Sequence, residues 1–106
     1  METRVDADAE CPAPVARREV TIVNAYGLHM RPSTRFVKLA GTFRSDVWVD
    51  FRGARANGKS LLEMTCLGAE HGTSLEIEAK GPDAEQAVAA LAELVAAGFH
   101  MDDENS

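Results

Sequence analysis

His29 and Arg31 lie two positions apart in the stretch Asn24-Ala25-Tyr26-Gly27-Leu28-His29-Met30-Arg31-Pro32-Ser33-Thr34. The stretch reads as the end of a strand, a glycine turn and the first turn of a helix. If His29 stands at or near the N-cap, the amides of Met30 and Arg31 precede the first intrahelical hydrogen bond and are available as donors. Together with the positive end of the helix dipole they form a small anion site beside the imidazole. Pro32 lacks an N–H, which costs nothing inside a first turn, and its fixed φ suits a helix. Arg31 adds a permanent cation whose planar fork matches a phosphoryl group. A nucleophilic ring nitrogen beside a phosphate cradle is what a phosphohistidine requires. The same residues also fit a plain turn and helix start with His29 as a solvated cap, and chemistry alone leaves both readings open.

Composition narrows the setting. The 106 residues suffice for one compact domain, and 45% apolar content suits a packed core. A net charge of −6 argues against nucleic acid as a partner. Cys11 and Cys66 are far apart and form no Cys-x-x-Cys pair, a pattern that fits a reducing cytoplasm. No apolar run approaches the length of a membrane span, and the first residues lack the apolar region of a signal peptide.

Residues 1–18 mix Ala, Pro and charge without periodicity and read as a disordered tail. Folding is expected from 19 to 99, with 100–106 as an acidic tail. Glu19–Asn24 reads as a first strand. A helix follows from about Met30 to Ala40, with Ser33, Phe36, Val37 and Ala40 facing the core and Gly41 as its C′ residue. Arg31, Arg35 and Lys38 recur at i, i+4 and i+7 as a basic stripe. Ser45–Phe51 alternates, with Val47, Val49 and Phe51 on one face and Asp46, Trp48 and Asp50 on the other. Arg52-Gly53 turns the chain into a short strand over Ala54–Asn57, and Lys59–Leu67 reads as a short helix. Ser74–Lys80 alternates again, with Glu76, Glu78 and Lys80 on a wet face. Gly81-Pro82-Asp83 opens a last helix, Ala84 to about Ala97, closed by Gly98. The order βαββαβα implies an α+β fold, a four-stranded antiparallel sheet covered on one face by helices. Ser60-x-x-Glu63 ahead of an apolar run is a capping box. Cys66 is expected in packing. It cannot form a metal site with His71 because two further ligands are missing. His100 falls in the tail, and Trp48 reads as a covered or partly exposed surface residue.

Gly27-Leu28-His29-x-Arg31-Pro32 at the start of the first helix resembles the signature of HPr, the histidine-containing phosphocarrier of the phosphoenolpyruvate-dependent phosphotransferase system. The resemblance runs from about Glu19 to Phe99. It includes Phe36-Val37-x-x-Ala40, Asn57-Gly58-Lys59-Ser60, Leu67-Gly68 with Gly72, and Gly81-x-Asp83-Ala84-x-x-Ala87-Val88. It implies HPr's open-faced β-sandwich, with His29 phosphorylated and Arg31 steadying the phosphate. It also implies a regulatory phosphorylation site at Ser60, served by a serine-specific HPr kinase/phosphorylase. Enzyme I and enzyme IIA proteins are the implied partners. Their docking patch would comprise Met30, Thr34, Arg35, Lys38, Leu61, Leu62 and Met64 or Thr65. No cofactor or metal is expected, nor turnover of a substrate by the protein alone, and a monomer is expected. An alternative within the same fold is a regulatory module that signals nitrogen or carbon status by binding target proteins. Met30 departs from the small residue usual at its position, and both tails depart from the compact family pattern.

Overall fold

The computed structural model describes residues 14–25 and 27–100. Seven elements run in the order βαββαβα: β1 (Val15–Thr21), α1 (Met30–Ala40), β2 (Asp46–Phe51), β3 (Ala54–Asn57), α2 (Leu61–Cys66), β4 (Ser74–Lys80) and α3 (Ala84–Ala96). The strands form one antiparallel sheet in the order β1-β4-β2-β3. β4, the last strand in the chain, is therefore central: Arg17, Glu78 and Trp48 lie in one row across three strands.

One face of the sheet buries Val20, Val47, Val49, Phe51, Ala56, Leu75, Ile77 and Ala79 against the helices. Phe36 and Ala40 of α1, Met64 of α2 and Ala84, Ala87, Val88, Leu91 and Val95 of α3 pack into that core. The period-two pattern of the strands and the helical stripes of α1 and α3 meet in a single layer, which is why one face of the sheet stays uncovered by helix. The α+β open-faced sandwich is as expected.

Several boundaries and environments differ from the expectation. β1 begins at Val15 and ends at Thr21, so residues 15–18 belong to the sheet and not to a tail. The backbone ladder with β4 accounts for the shift: Val15–Arg18 pair with Lys80–Ile77 and the Gly81 amide donates to Pro14 O at 2.9 Å, while the Arg17 guanidinium adds a bond to Glu78 on that strand. Residues 1–13 and 101–106, the rest of both expected tails, lie outside the described residues. Gly41 stands at the C-cap of α1 with φ −66°, in ordinary right-handed conformation, and not as a left-handed C′ residue. Arg52 (φ 50°) and Gly53 (φ 86°) do form the expected tight turn between β2 and β3, with both central residues left-handed.

Glu78 is buried on the outer face, with 9% of its surface exposed, where alternation predicted a wet residue. Arg17 donates to its Oε2 at 3.1 Å and Arg55 to its Oε1 at 2.7 Å. Arg55 also holds Asp50 at 3.1 Å and lies over the Trp48 ring, 5.0 Å from its centroid. The two arginines cover the carboxylate, and the bond from Arg55 holds it below the usual carboxylate range despite burial. Asp83 differs in another way. It makes no side-chain cap to α3. Instead it accepts from the Ser45 hydroxyl at 2.6 Å and from the Arg44 and Ser45 amides at 2.9 Å each. Those bonds, the hydroxyl's first, hold its carboxyl below its ordinary range and pin the α1–β2 connection to the head of α3.

Candidate functional site

The loop between β1 and α1 is built on Gly27. Its φ of +73° favours glycine, and a Cβ there would meet Ala69 O at 2.6 Å and Glu70 Cα at 2.9 Å. Leu28, 3% exposed, donates its amide to Ala69 O at 2.8 Å. The Asn24 side-chain amide donates to Gly27 O at 2.7 Å, and the His29 amide donates to the same carbonyl at 3.1 Å. Leu28 is the buried plug of the loop, and the segment around Ala69 is its backing. Local sequence does not point to that backing, since Gly68-Ala69-Glu70 carries only a turn signal.

With Leu28 anchored inward, His29 is turned outward. It is exposed, occupies the N-cap of α1 in extended conformation (φ −103°, ψ −162°) and makes no side-chain cap bond. The first intrahelical bond runs from the Ser33 amide to His29 O at 2.9 Å. Met30 and Arg31 therefore open the helix immediately beside the imidazole, followed by buried Pro32. α1 has no acidic residue in its first turn. An exposed imidazole at a helix N-terminus, with an exposed arginine two residues on, can receive an anionic group and release it again.

Ser60 is the N-cap of α2, and its Oγ accepts from the Glu63 amide at 3.3 Å. Only half of the expected capping box forms. Glu63 Oε1 accepts from the Asn57 amide at 2.8 Å, while the Ser60 amide donates to Asn57 O at 3.0 Å. Asn57 Oδ1 accepts from the Lys59 amide at 2.9 Å, so the segment from Asn57 to Ser60 is a closed turn.

α1 and α2 pack on one another. Met30 is 57% exposed and Leu62 73%, with Leu61 half-buried. Met64 does not join them: it is fully buried, because it is the one residue of α2 that reaches the core. Thr34 turns its hydroxyl back onto Met30 O at 2.8 Å. Arg35 spends its Nη1 on Phe99 O at 2.9 Å and His100 O at 3.2 Å. Arg31 and Lys38 are exposed. Cys66, expected in packing, is an exposed free thiol. His71 and His100 are exposed and lie in other loops. Among the described residues no cluster of His, Cys, Asp and Glu could hold a metal, and no helix is long and apolar enough to cross a membrane.

A small open-faced sandwich that presents one histidine at the head of its first helix defines the class of the phosphohistidine carriers. The chain belongs to the HPr family of the phosphotransferase system: residues 16–97 match the family model described as the PTS HPr component phosphorylation site. It is 39% identical over 79 residues to the phosphocarrier protein HPr of Neisseria meningitidis serogroup A, covering 74% of this chain and 89% of that one. It is 41% identical over 88 residues to the multiphosphoryl transfer protein of Escherichia coli O157:H7, covering 80% of this chain and 23% of that longer one. Among solved structures, HPr-C-His from Thermoanaerobacter tengcongensis matches with a TM-score of 0.77 and 34% identity, over 80% of this chain and 96% of that one. The phosphocarrier protein HPr from Bacillus anthracis matches with a TM-score of 0.74 and 32% identity, over 76% and 96%.

Proposed function

We propose that this protein accepts a phosphoryl group on His29 from phospho-enzyme I and passes it to enzyme IIA proteins in the cytoplasm. The observation that carries the reading is the exposed His29 at the N-cap of α1, followed by Arg31 and by Pro32, which has no amide to lose. In the forward step a ring-nitrogen lone pair of neutral His29 forms the N–P bond. The bond from phosphorus to the donor's leaving group breaks, and that group keeps the electron pair. The negative phosphoryl oxygens then lie toward the helix N-terminus and Arg31. Return transfer needs an open site and few donors, and an exposed histidine at the surface end of a helix suits both conditions. Positioning and electrostatics dominate phosphoryl transfer, so a carrier needs no general base of its own.

Ser60 fits a second, regulatory phosphorylation site for a serine-specific kinase. It caps a helix whose neighbour Leu62 is highly exposed, and a phosphate there would suit the dipole of α2 while placing roughly −2 charge beside the docking patch. Met30, Thr34, Leu61, Leu62 and the cations Arg31, Arg35 and Lys38 form that patch in this reading, with Arg35 anchored through Nη1 to the Phe99 and His100 carbonyls and the Thr34 hydroxyl turned back onto Met30 O.

The test is incubation with phosphoenolpyruvate and enzyme I. One acid-labile phosphate per chain is expected on the parent, on His71→Ala and on His100→Ala, and none on His29→Ala. Label retained by His29→Ala would refute the assignment.

A further inference from the structure

The chain leaves α3 through three consecutive left-handed residues, Gly98 (φ 66°), Phe99 (φ 58°) and His100 (φ 58°). Two of them are not glycine, a conformation sustained only where surroundings enforce it. Two contacts enforce it here. The Phe99 ring is completely buried, and Arg35 of α1 donates to the carbonyls of both Phe99 and His100. His100 also borders a shallow cavity with Leu39, the penultimate residue of α1. His100, the last described residue, thereby lies against α1, beside Arg35.

After His100 the sequence continues Met101-Asp102-Asp103-Glu104. Beside His100 lies Arg35, the middle member of the basic stripe Arg31, Arg35 and Lys38 on α1, in a protein of net charge −6. Two to four residues of chain reach roughly 7–14 Å, and Arg31 stands one turn, about 6 Å, from Arg35. Three carboxylates within three residues are thus tethered within reach of three cations spread over two turns. The tether is short, so the effective concentration of the acids at the stripe is in the millimolar range even though each exposed pair is weak.

We propose that Asp102, Asp103 and Glu104 dock on the Arg31–Arg35–Lys38 face of α1 and compete there with acidic partner surfaces. This deepens the carrier reading, since the same face adjoins His29. Its test is independent of phosphoryl transfer. The full chain and a variant carrying Asp102→Asn, Asp103→Asn and Glu104→Gln are compared by NMR, following the arginine side-chain Nε–H signals and the amides of residues 30–38. At low salt, differences between the two proteins are expected along Arg31–Lys38, and they should vanish near ~0.5 M salt as screening sets in. Hexaglutamate peptide, titrated into both, should bind this face two- to ten-fold more tightly in the neutralised variant, again only at low salt. Identical α1 spectra for the two proteins would overturn the docking. Equal peptide affinity despite spectral differences would overturn the competition. Because the probe is a peptide, either result stands whether or not His29 accepts phosphate.

Discussion

Gly58→Ala is a sharp test of how the Ser60 turn is held against α1. Gly58 is buried, and an added Cβ would lie 2.5 Å from Val47 Cγ1 and 3.1 Å from Phe36 Cε1. Both neighbours are core residues, 1% and 0% exposed. The backbone has little room to yield. The Gly58 amide donates to Val47 O at 2.8 Å, and the flanking amides of Asn57, Lys59 and Ser60 are all committed within the turn or to Glu63. Overpacking of this kind costs about 1–3 kcal/mol. At about 4–8 °C per kcal/mol for a domain of this size, the melting temperature should fall by roughly 5–20 °C. Val47→Ala alone removes buried methyls and should cost about 2 kcal/mol. It also removes the atom that the new methyl would strike. The double variant should therefore be more stable than the sum of the singles predicts, by about 0.5–3 kcal/mol. Urea melts of the four proteins measure that coupling. Additivity of the two changes, or an unaltered midpoint for Gly58→Ala, would refute the packing argument.

Ser60→Ala should lose about 1 kcal/mol through the cap of α2, whereas Ser60→Asp should keep it and yet slow phosphorylation by enzyme I at low salt; thermal melts and initial rates separate the two effects. The Asp83 carboxyl is held below its usual range, so its stabilisation is full above the ordinary value near ~4 and is lost as pH falls through the lower folded value. The melting-temperature gap between parent and Asp83→Asn should accordingly close as pH drops below ~4, and a gap that widens there would contradict the clamp. Glu78→Gln weakens the bond that holds Arg55 over Trp48, the single tryptophan. Its emission should shift toward that of a more exposed indole, and the shift should also appear in the parent on acidification, because Glu78 too titrates below the usual carboxylate range.

The element order was legible because each segment carried its own period. Val47, Val49 and Phe51 alternate, Phe36 and Ala40 recur helically, and Arg52-Gly53 or Gly98 punctuate the ends. His29 was legible for a local reason as well: glycine, plug residue, cap and proline succeed one another within six positions. The features that stayed hidden depend on distant partners. Residues 15–18 join β1 by pairing with β4, whose Glu78 lies sixty-one residues from Arg17, and Glu78 is buried by arginines from two other strands. Asp83 has the sequence of a helix cap, but Ser45 of another connection takes its oxygens. Met64 and Cys66 could not be sorted into buried and exposed within a helix of 6 residues, too short to establish a stripe. Gly27 signalled a turn, but nothing local pointed to Ala69 as its backing.

The central claim is that the phosphoryl group resides on the imidazole of His29. The direct measurement is a 31P–15N correlated NMR spectrum of the phosphorylated protein, labelled with 15N-histidine and prepared with enzyme I and phosphoenolpyruvate. The account predicts one phosphorus coupled to a ring nitrogen of His29, assigned by its loss in His29→Gln. A phosphorus coupled to His71 or His100, or bound to oxygen with no nitrogen coupling, would contradict it.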